Sequence, residues 1–192
     1  MQDLLFSRDR SVLAVIDVQS VFLDKLPEAE RAPLVGRICW LIRAAVALGV
    51  PVVAMAEDIA ANGPPVDAVA AALPEGTVIH DKQVFGLAGQ AGILAGIAAH
   101  RRAEVVLAGL ETDVCVAQSA LGLIGVGYRV AALTDATGAP GACHPAGLER
   151  MRGAGVQIST VKGIYYEWVR DLQTLARVKP MLAGALPAGL TL

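Results

Sequence analysis

Short, unbroken apolar runs alternate along this chain with longer stretches in which apolar residues return every three or four positions, a pattern that predicts an α/β domain. Residues 11–16, 51–56 and 105–108 are apolar runs of strand length, and 128–133 is a fourth, interrupted only by Arg129. Runs without alternation belong to strands covered on both faces, which points to a mainly parallel sheet. Weaker runs at 77–80 and 155–160 bring the number of expected strands to six. Between the first two strands, apolar residues at 34, 38, 41, 45 and 48 step by four and three, with 35, 39, 42 and 46 beside them. That spacing predicts a helix over 28–48, stopped by Gly49. Further helices are expected over 66–73, from 93 to near 100, after the 105–108 strand, over 144–153 and over 165–178. Segments 57–65, 86–92 and 134–141 read as loops or irregular structure.

Strands and helices in strict succession predict three α/β/α layers around one sheet, and the usual winding of such sheets gives the order 3-2-1-4-5-6. Residues 1–192 then form a single domain with an apolar tail at 180–192. Hydrophobic residues make up 55% of the chain but aromatics only 4%, so Ala, Val, Leu and Ile must fill the core at close range. Sixteen basic and eighteen acidic residues leave a net charge of −2 with no run of either sign, so no nucleic-acid face and no polybasic membrane patch is visible. The expected partner is a small molecule. Residues 1–10 lack the apolar segment of a signal peptide, and the expected location is cytoplasmic. The tail is shorter than the roughly 20 residues of a membrane helix and is broken by Pro187, so it is expected to dock on the protein or on a neighbouring copy.

Three cysteines, at 39, 115 and 143, form no CxxC pair and predict neither a disulfide framework nor a zinc site. Cys39 lies in the 35-39-42-46 row and reads as core. Cys143 adjoins His144, but neighbours on a helix point different ways, and a role for it stays open. Cys115 is different. A buried strand at 105–108 is broken by Gly109, and the chain restarts as a helix that Thr112 or Asp113 can cap. Cys115 is thereby placed in the first turn, where unpaired N–H groups and the helix dipole favour a thiolate. Asp17 closes the first strand, 98 positions earlier, and strands one and four become neighbours in this winding. Ligands bind at that switch point, so one crevice is expected to hold both residues.

Three motifs carry a family resemblance. Ala14-Val15-Ile16-Asp17-Val18-Gln19 with Phe22, Lys82 with Phe85, and Gly109-Leu110-Glu111-Thr112-Asp113-Val114-Cys115-Val116, in that order, resemble the isochorismatase-like cysteine hydrolases, a superfamily that includes nicotinamidases and N-carbamoylsarcosine amidase. The resemblance spans roughly residues 11–170. It implies a six-stranded parallel sheet, a catalytic triad of Cys115, Asp17 and Lys82, and a cis peptide between Leu110 and Glu111. It also implies that the backbone N–H groups of Glu111 and Cys115 receive an oxyanion. The implied reaction is cofactor-free hydrolysis of a C–N bond in a small amide or carbamoyl substrate through a covalent Cys115 intermediate, by a homo-oligomer.

Departures narrow this reading. The metal-dependent nicotinamidases carry an Asp-x-His site beyond the second strand, whereas residues 55–65 contain no histidine, so no metal and no nicotinamidase activity is expected. Isochorismate-cleaving members generally lack the cysteine, so Cys115 weighs against that reaction too. The alternative from another class is a ligand-binding or thiol-redox protein without turnover. Phe22 and Phe85 are candidates for the pocket wall, Tyr165, Tyr166 and Trp168 for core or pocket, and Asp135 for a turn. The Glu111 carboxylate has no assigned role.

Overall fold

The computed structural model describes residues 3–184 and 186–192. In chain order the elements are β1 (Ser11–Ile16), α1 (Ser20–Leu23), α2 (Glu28–Ala47), β2 (Val52–Glu57), α3 (Ile59–Asn62), α4 (Asp67–Ala72), β3 (Ile79–Lys82), α5 (Ala91–Ala98) and β4 (Glu104–Leu110). A π-helical turn, Thr112–Val116, then leads into α6 (Ala117–Gly125), β5 (Arg129–Gly138), α7 (Cys143–Gly153), β6 (Gln157–Ser159), α8 (Val161–Val169) and α9 (Leu172–Val178). All the strand pairs are parallel and the sheet order is β3-β2-β1-β4-β5-β6, the winding expected of the sequence.

Alternate residues of each central strand face opposite layers. Leu13, Val15, Val106, Ala108, Ala131 and Leu133 pack with Ile38, Leu41, Trp40 and Trp168 of α2 and α8. Val12, Ala14, Ile16, Val105, Leu107 and Val130 pack with Ile93, Ala120, Leu123 and Met151 of α5, α6 and α7. β1 and β4 are buried at every position, which is why both read as unbroken apolar runs.

Several element boundaries differ from the sequence expectation; β4 runs from Glu104 through Gly109 to Leu110 rather than over 105–108, and α8 starts at Val161 rather than 165. β3 lies two residues further along than 77–80, because it pairs with β2 in the register Ala54↔Ile79 to Glu57↔Lys82; Lys82 is therefore a strand-end residue. β5 runs through most of the expected 134–141 loop, and its pairing with β4 shifts register between Leu107 and Gly109. The expected helix 165–178 is two helices: Arg170 turns to φ 68°, and Asp171 caps α9 by accepting a bond from the Thr174 N–H at 2.7 Å. A cap of this kind satisfies a backbone donor locally, so the helix restarts while the apolar period continues. The short helices α1 and α3 occupy stretches with no predicted element.

Candidate active site

The carboxyl ends of β1, β2, β3 and β4 meet in one crevice. At the end of β1, Asp17 adopts φ 50°, a left-handed conformation that Asp tolerates better than most residues. Its N–H donates to the Met55 carbonyl at 3.1 Å, and its own carbonyl accepts the Gln19 N–H at 2.8 Å. Next door on β4, Gly109 sits opposite Ile16 with φ 132°, and a Cβ there would lie 1.9 Å from the Ile16 carbonyl oxygen. Only glycine lets the two strands approach so closely beside Asp17.

Beyond Gly109 the Leu110–Glu111 peptide is cis. The turn that follows is wide: the Val116 N–H reaches back five residues to the Glu111 carbonyl at 3.1 Å. Gly147 of α7 packs on this turn so tightly that a Cβ would stand 2.7 Å from the Asp113 Cα. The side-chain cap expected from Thr112 or Asp113 is absent. Thr112 Oγ1 instead meets His144 Nδ1 at 2.8 Å, and Asp113 Oδ1 is buried without a partner. The reason is tertiary, since α7 supplies the Thr112 partner from 32 residues away.

This scaffold brings Asp17, Lys82 and Cys115 together, and adds Glu57. Lys82 Nζ lies 3.0 Å from Asp17 Oδ2, 3.2 Å from Glu57 Oε2 and 3.7 Å from Cys115 Sγ, and donates to the Val84 carbonyl at 2.6 Å. The Cys115 thiol donates to Glu57 Oε2 at 3.1 Å. Asp17 and Lys82 are wholly enclosed, and Glu57 keeps 19% of its side chain in solvent. Charge rather than an aligned hydrogen bond holds Asp17 to Lys82, because neither carboxylate oxygen of Asp17 has a donor directed onto it. The donor atoms of Asp17, Glu57 and Cys115 lie within 4.8 Å of one another, spacing that could ligate a metal, and the Lys82 ammonium is the cation they surround.

Burial is the largest influence on all three buried groups. It pushes Asp17 up to about 6, against the pull of Lys82. For Lys82, burial acts downwards, yet the charges of Asp17 and Cys115 and its close contacts with the Asp17 and Glu57 carboxylates carry the ammonium above its ordinary range. The Cys115 thiol is pushed far above its ordinary range, first by burial and then by the Asp17 charge, with Lys82 opposing. The thiolate expected from a helix-start position is therefore not the resting state. A helix end acts only within one turn, whereas desolvation and a fixed carboxylate act here at contact distance.

Glu57 escaped the sequence reading, which placed it at the head of a loop. Its signal was present: like Asp17, it is an acid closing a buried parallel strand, at the sheet edge where ligands bind. Gln19 of the first motif fixes it from both sides. Gln19 Oε1 accepts the Glu57 N–H at 2.8 Å, and its Nε2 donates to the Glu57 carbonyl at 2.8 Å and the Gly63 carbonyl at 2.7 Å.

The remaining candidates separate. Phe85 is half exposed and lines a cavity of about 180 Å³ with Glu57, Asp58, Lys82, Gln83 and Val84. Phe22 is buried in the core, with the Lys25 ammonium 4.8 Å above its ring. The same ammonium pairs with the Glu111 carboxylate at 2.5 Å, tying the turn that carries Cys115 to the segment after α1. Cys39 is buried, its thiol on the Ala68 carbonyl at 3.3 Å, and Cys143 is exposed at the start of α7. Asp135 Oδ1 accepts the Val161 N–H at 2.8 Å, and Tyr165 and Trp168 are core.

Comparison with known proteins adds a family and a set of folds. The family model for the isochorismatase domain matches residues 11–163. Isochorismatase family protein 2B of Dictyostelium discoideum is 41% identical over 68 residues, 35% of this chain and 32% of that protein, so the chain matches about a third of that relative's length. The secreted isochorismatase effector Isc1 of Phytophthora sojae is 29% identical over 173 residues, covering 84% of this chain and 78% of that protein. Among solved structures, YcaC from Pseudomonas aeruginosa, with hexane-2,5-diol and covalent acrylamide, has a TM-score of 0.86 at 22% identity, over 98% of this chain and 95% of its own. The YcaC gene product of Escherichia coli, an octameric hydrolase of unknown specificity, has a TM-score of 0.83 at 22% identity, over 94% and 90%. MAR1 ribonuclease from Caenorhabditis elegans has a TM-score of 0.84 at 22% identity, over 98% of both chains. At these identities the three structures share the fold.

Proposed function

This chain belongs to the isochorismatase domain family, and on that premise we propose that it is a cysteine hydrolase cleaving a C–N bond of a small amide or carbamoyl substrate through a covalent Cys115 intermediate. The observation that carries the reading is the meeting of Asp17, Lys82 and Cys115 from three separate strand ends, with the ammonium 3.0 Å from the carboxylate and 3.7 Å from the sulfur.

The raised thiol pKa sets the order of events. At rest the sulfur holds its proton, so deprotonation and attack are coupled, and Asp17, at about 6, is ionised near neutral pH and able to take the proton. Lys82 holds Asp17 in place and steadies the thiolate as it forms. The sulfur bonds to the substrate carbonyl, and the resulting oxyanion rests on the backbone N–H groups of Glu111 and Cys115. Collapse breaks the C–N bond as protonated Asp17 gives its proton to the leaving nitrogen. Asp17 then takes a proton from water, the hydroxide attacks the thioester, and the C–S bond breaks with the proton returning to sulfur. The same pKa weighs against the thiol-redox alternative, because the thiolate is the form that oxidises. The related YcaC protein with covalent acrylamide supports an electrophile-accepting site on this fold.

The test is alkylation of Cys115 by iodoacetamide, followed by peptide mass mapping, together with a panel of small amides and carbamoyl compounds screened for a Cys115 adduct. Asp17→Asn is expected to slow labelling at least about a hundredfold, the range of a lost general base. Labelling indifferent to Asp17 would overturn the mechanism. Assembly into a homo-oligomer is part of the proposal, supported by the octameric relative and by the exposed apolar residues Leu172, Met181, Leu186 and Leu192 near the C-terminus.

A further inference from the structure

The reaction above uses Asp17, Lys82 and Cys115 and leaves Glu57 without a task, although Glu57 accepts the thiol's hydrogen bond at 3.1 Å. A thiol has one proton, and two carboxylates stand ready for it. Asp17, fully enclosed, has no aligned donor on either oxygen. Glu57, the only one of the two with solvent access, touches both the sulfur and the 180 Å³ cavity; Asp17 and Cys115 do not line that cavity. A molecule in the cavity therefore meets Glu57 first.

The charge around the opening is one-sided. Glu57 and Asp58 line the cavity, Asp17 lies behind it, and the one ammonium among them, on Lys82, is already shared between two carboxylates and the Val84 carbonyl. The Lys25–Glu111 pair nearby neutralises itself. Phe85 adds an aromatic wall, a surface that favours cations and N–H groups over anions.

We propose that Glu57 is the substrate-reading residue of this site, accepting an N–H of the incoming molecule and thereby turning the thiol proton towards Asp17. The inference rests on the hydrolase reading, since the N–H belongs to the amide that Cys115 attacks. No covalent bond changes in this exchange: the proton stays on sulfur and only its acceptor is replaced, until attack transfers it to Asp17. The substrate class that follows is a small amide or carbamoyl compound that is neutral or cationic. A carboxylate next to the scissile carbonyl would sit against Glu57 and Asp58, and among the described residues lining the cavity the one cation, Lys82, is already engaged.

Three alkylating probes of similar size test this: neutral iodoacetamide, anionic iodoacetate and cationic 2-bromoethylammonium. Each Cys115 labelling rate is divided by the rate of the same probe with N-acetylcysteine methyl ester, in wild type, Glu57→Gln and Asp17→Asn. The ratio between probes cancels any general change in thiol reactivity. In the wild type, the normalised rates for iodoacetamide and 2-bromoethylammonium are expected to exceed that for iodoacetate by about tenfold or more. Glu57→Gln keeps the shape and removes the charge, and is expected to shrink the ratio to within about threefold. Charge-blind labelling of the wild type, or selectivity unchanged in Glu57→Gln, would overturn the role of Glu57, and the first of these outcomes needs no variant that folds. Labelling that discriminates by charge but ignores Asp17→Asn would instead sink the hydrolase reading while leaving the charge preference standing.

Discussion

Asp17 is wholly enclosed at the end of β1. Its pKa rises from the ordinary 3.8 to about 6 because burial outweighs the Lys82 ammonium. Between those two values the folded protein holds the proton and the unfolded chain releases it, so this group makes stability fall as pH rises from 3.8 through about 6. In the proposed reaction the activity has the opposite sign, since Asp17 takes the thiol proton only when ionised. Alkylation of Cys115 should therefore rise through an inflection at about pH 6, and that inflection should vanish in Asp17→Asn. A flat profile between pH 5 and 7 in the wild type would show that another base is at work. Thiolate formation alone would give no such inflection, because the thiol itself titrates far above neutrality. Lys82 contributes stability at neutral pH that is lost only as pH rises through its elevated pKa.

Among elements, β4 carries the greatest constraint. It is buried at all seven positions, hydrogen-bonded to β1 on one side and β5 on the other, and leads into the turn that carries Cys115. Gly109→Ala should be severe, since a Cβ 1.9 Å from the Ile16 carbonyl forces β1 and β4 apart and φ 132° is unfavourable for alanine. The expected loss is about 3 kcal/mol or more in urea unfolding, with Cys115 labelling displaced because Asp17 adjoins Ile16. A loss below about 0.5 kcal/mol would mean that the strands separate freely at that point. Sequence marked this glycine as the end of a strand, but not as a point of contact, since the atom that excludes a side chain belongs to a residue 93 positions away.

At the scale of the molecule, the sheet is covered on both faces by separate apolar clusters, and among the described residues no helix is long and apolar enough to cross a membrane. Exposed apolar side chains are spread over the surface, and several lie towards the C-terminus: Leu172 and Met181 are 82% and 62% exposed, and Tyr166, Leu186 and Leu192 line a groove beside α8 and α9. Light scattering during gel filtration should give a mass that is a multiple of 19.8 kDa, and Leu172→Glu with Met181→Glu should lower it. A 19.8 kDa species in the wild type at micromolar concentration would remove the oligomer from the proposal.

The alternation of apolar runs and helical periods was enough, by itself, to determine the layers, the parallel sheet and the residue that closes β1, because burial on both faces leaves its mark at every position of a strand; β4 runs two residues past its expected end at 108, to Leu110. Three motifs, read as a resemblance, singled out Asp17, Lys82 and Cys115 before any coordinates. Tertiary structure alone decided the rest. It moved β3 along so that Lys82 stands beside Glu57 in register, divided the last predicted helix at Asp171, and made Glu57 a partner of the sulfur 58 residues away. It also reversed the expected state of Cys115. Helix position is written locally in a chain, but desolvation and the field of a buried carboxylate depend on distances between residues that only the folded sheet brings together.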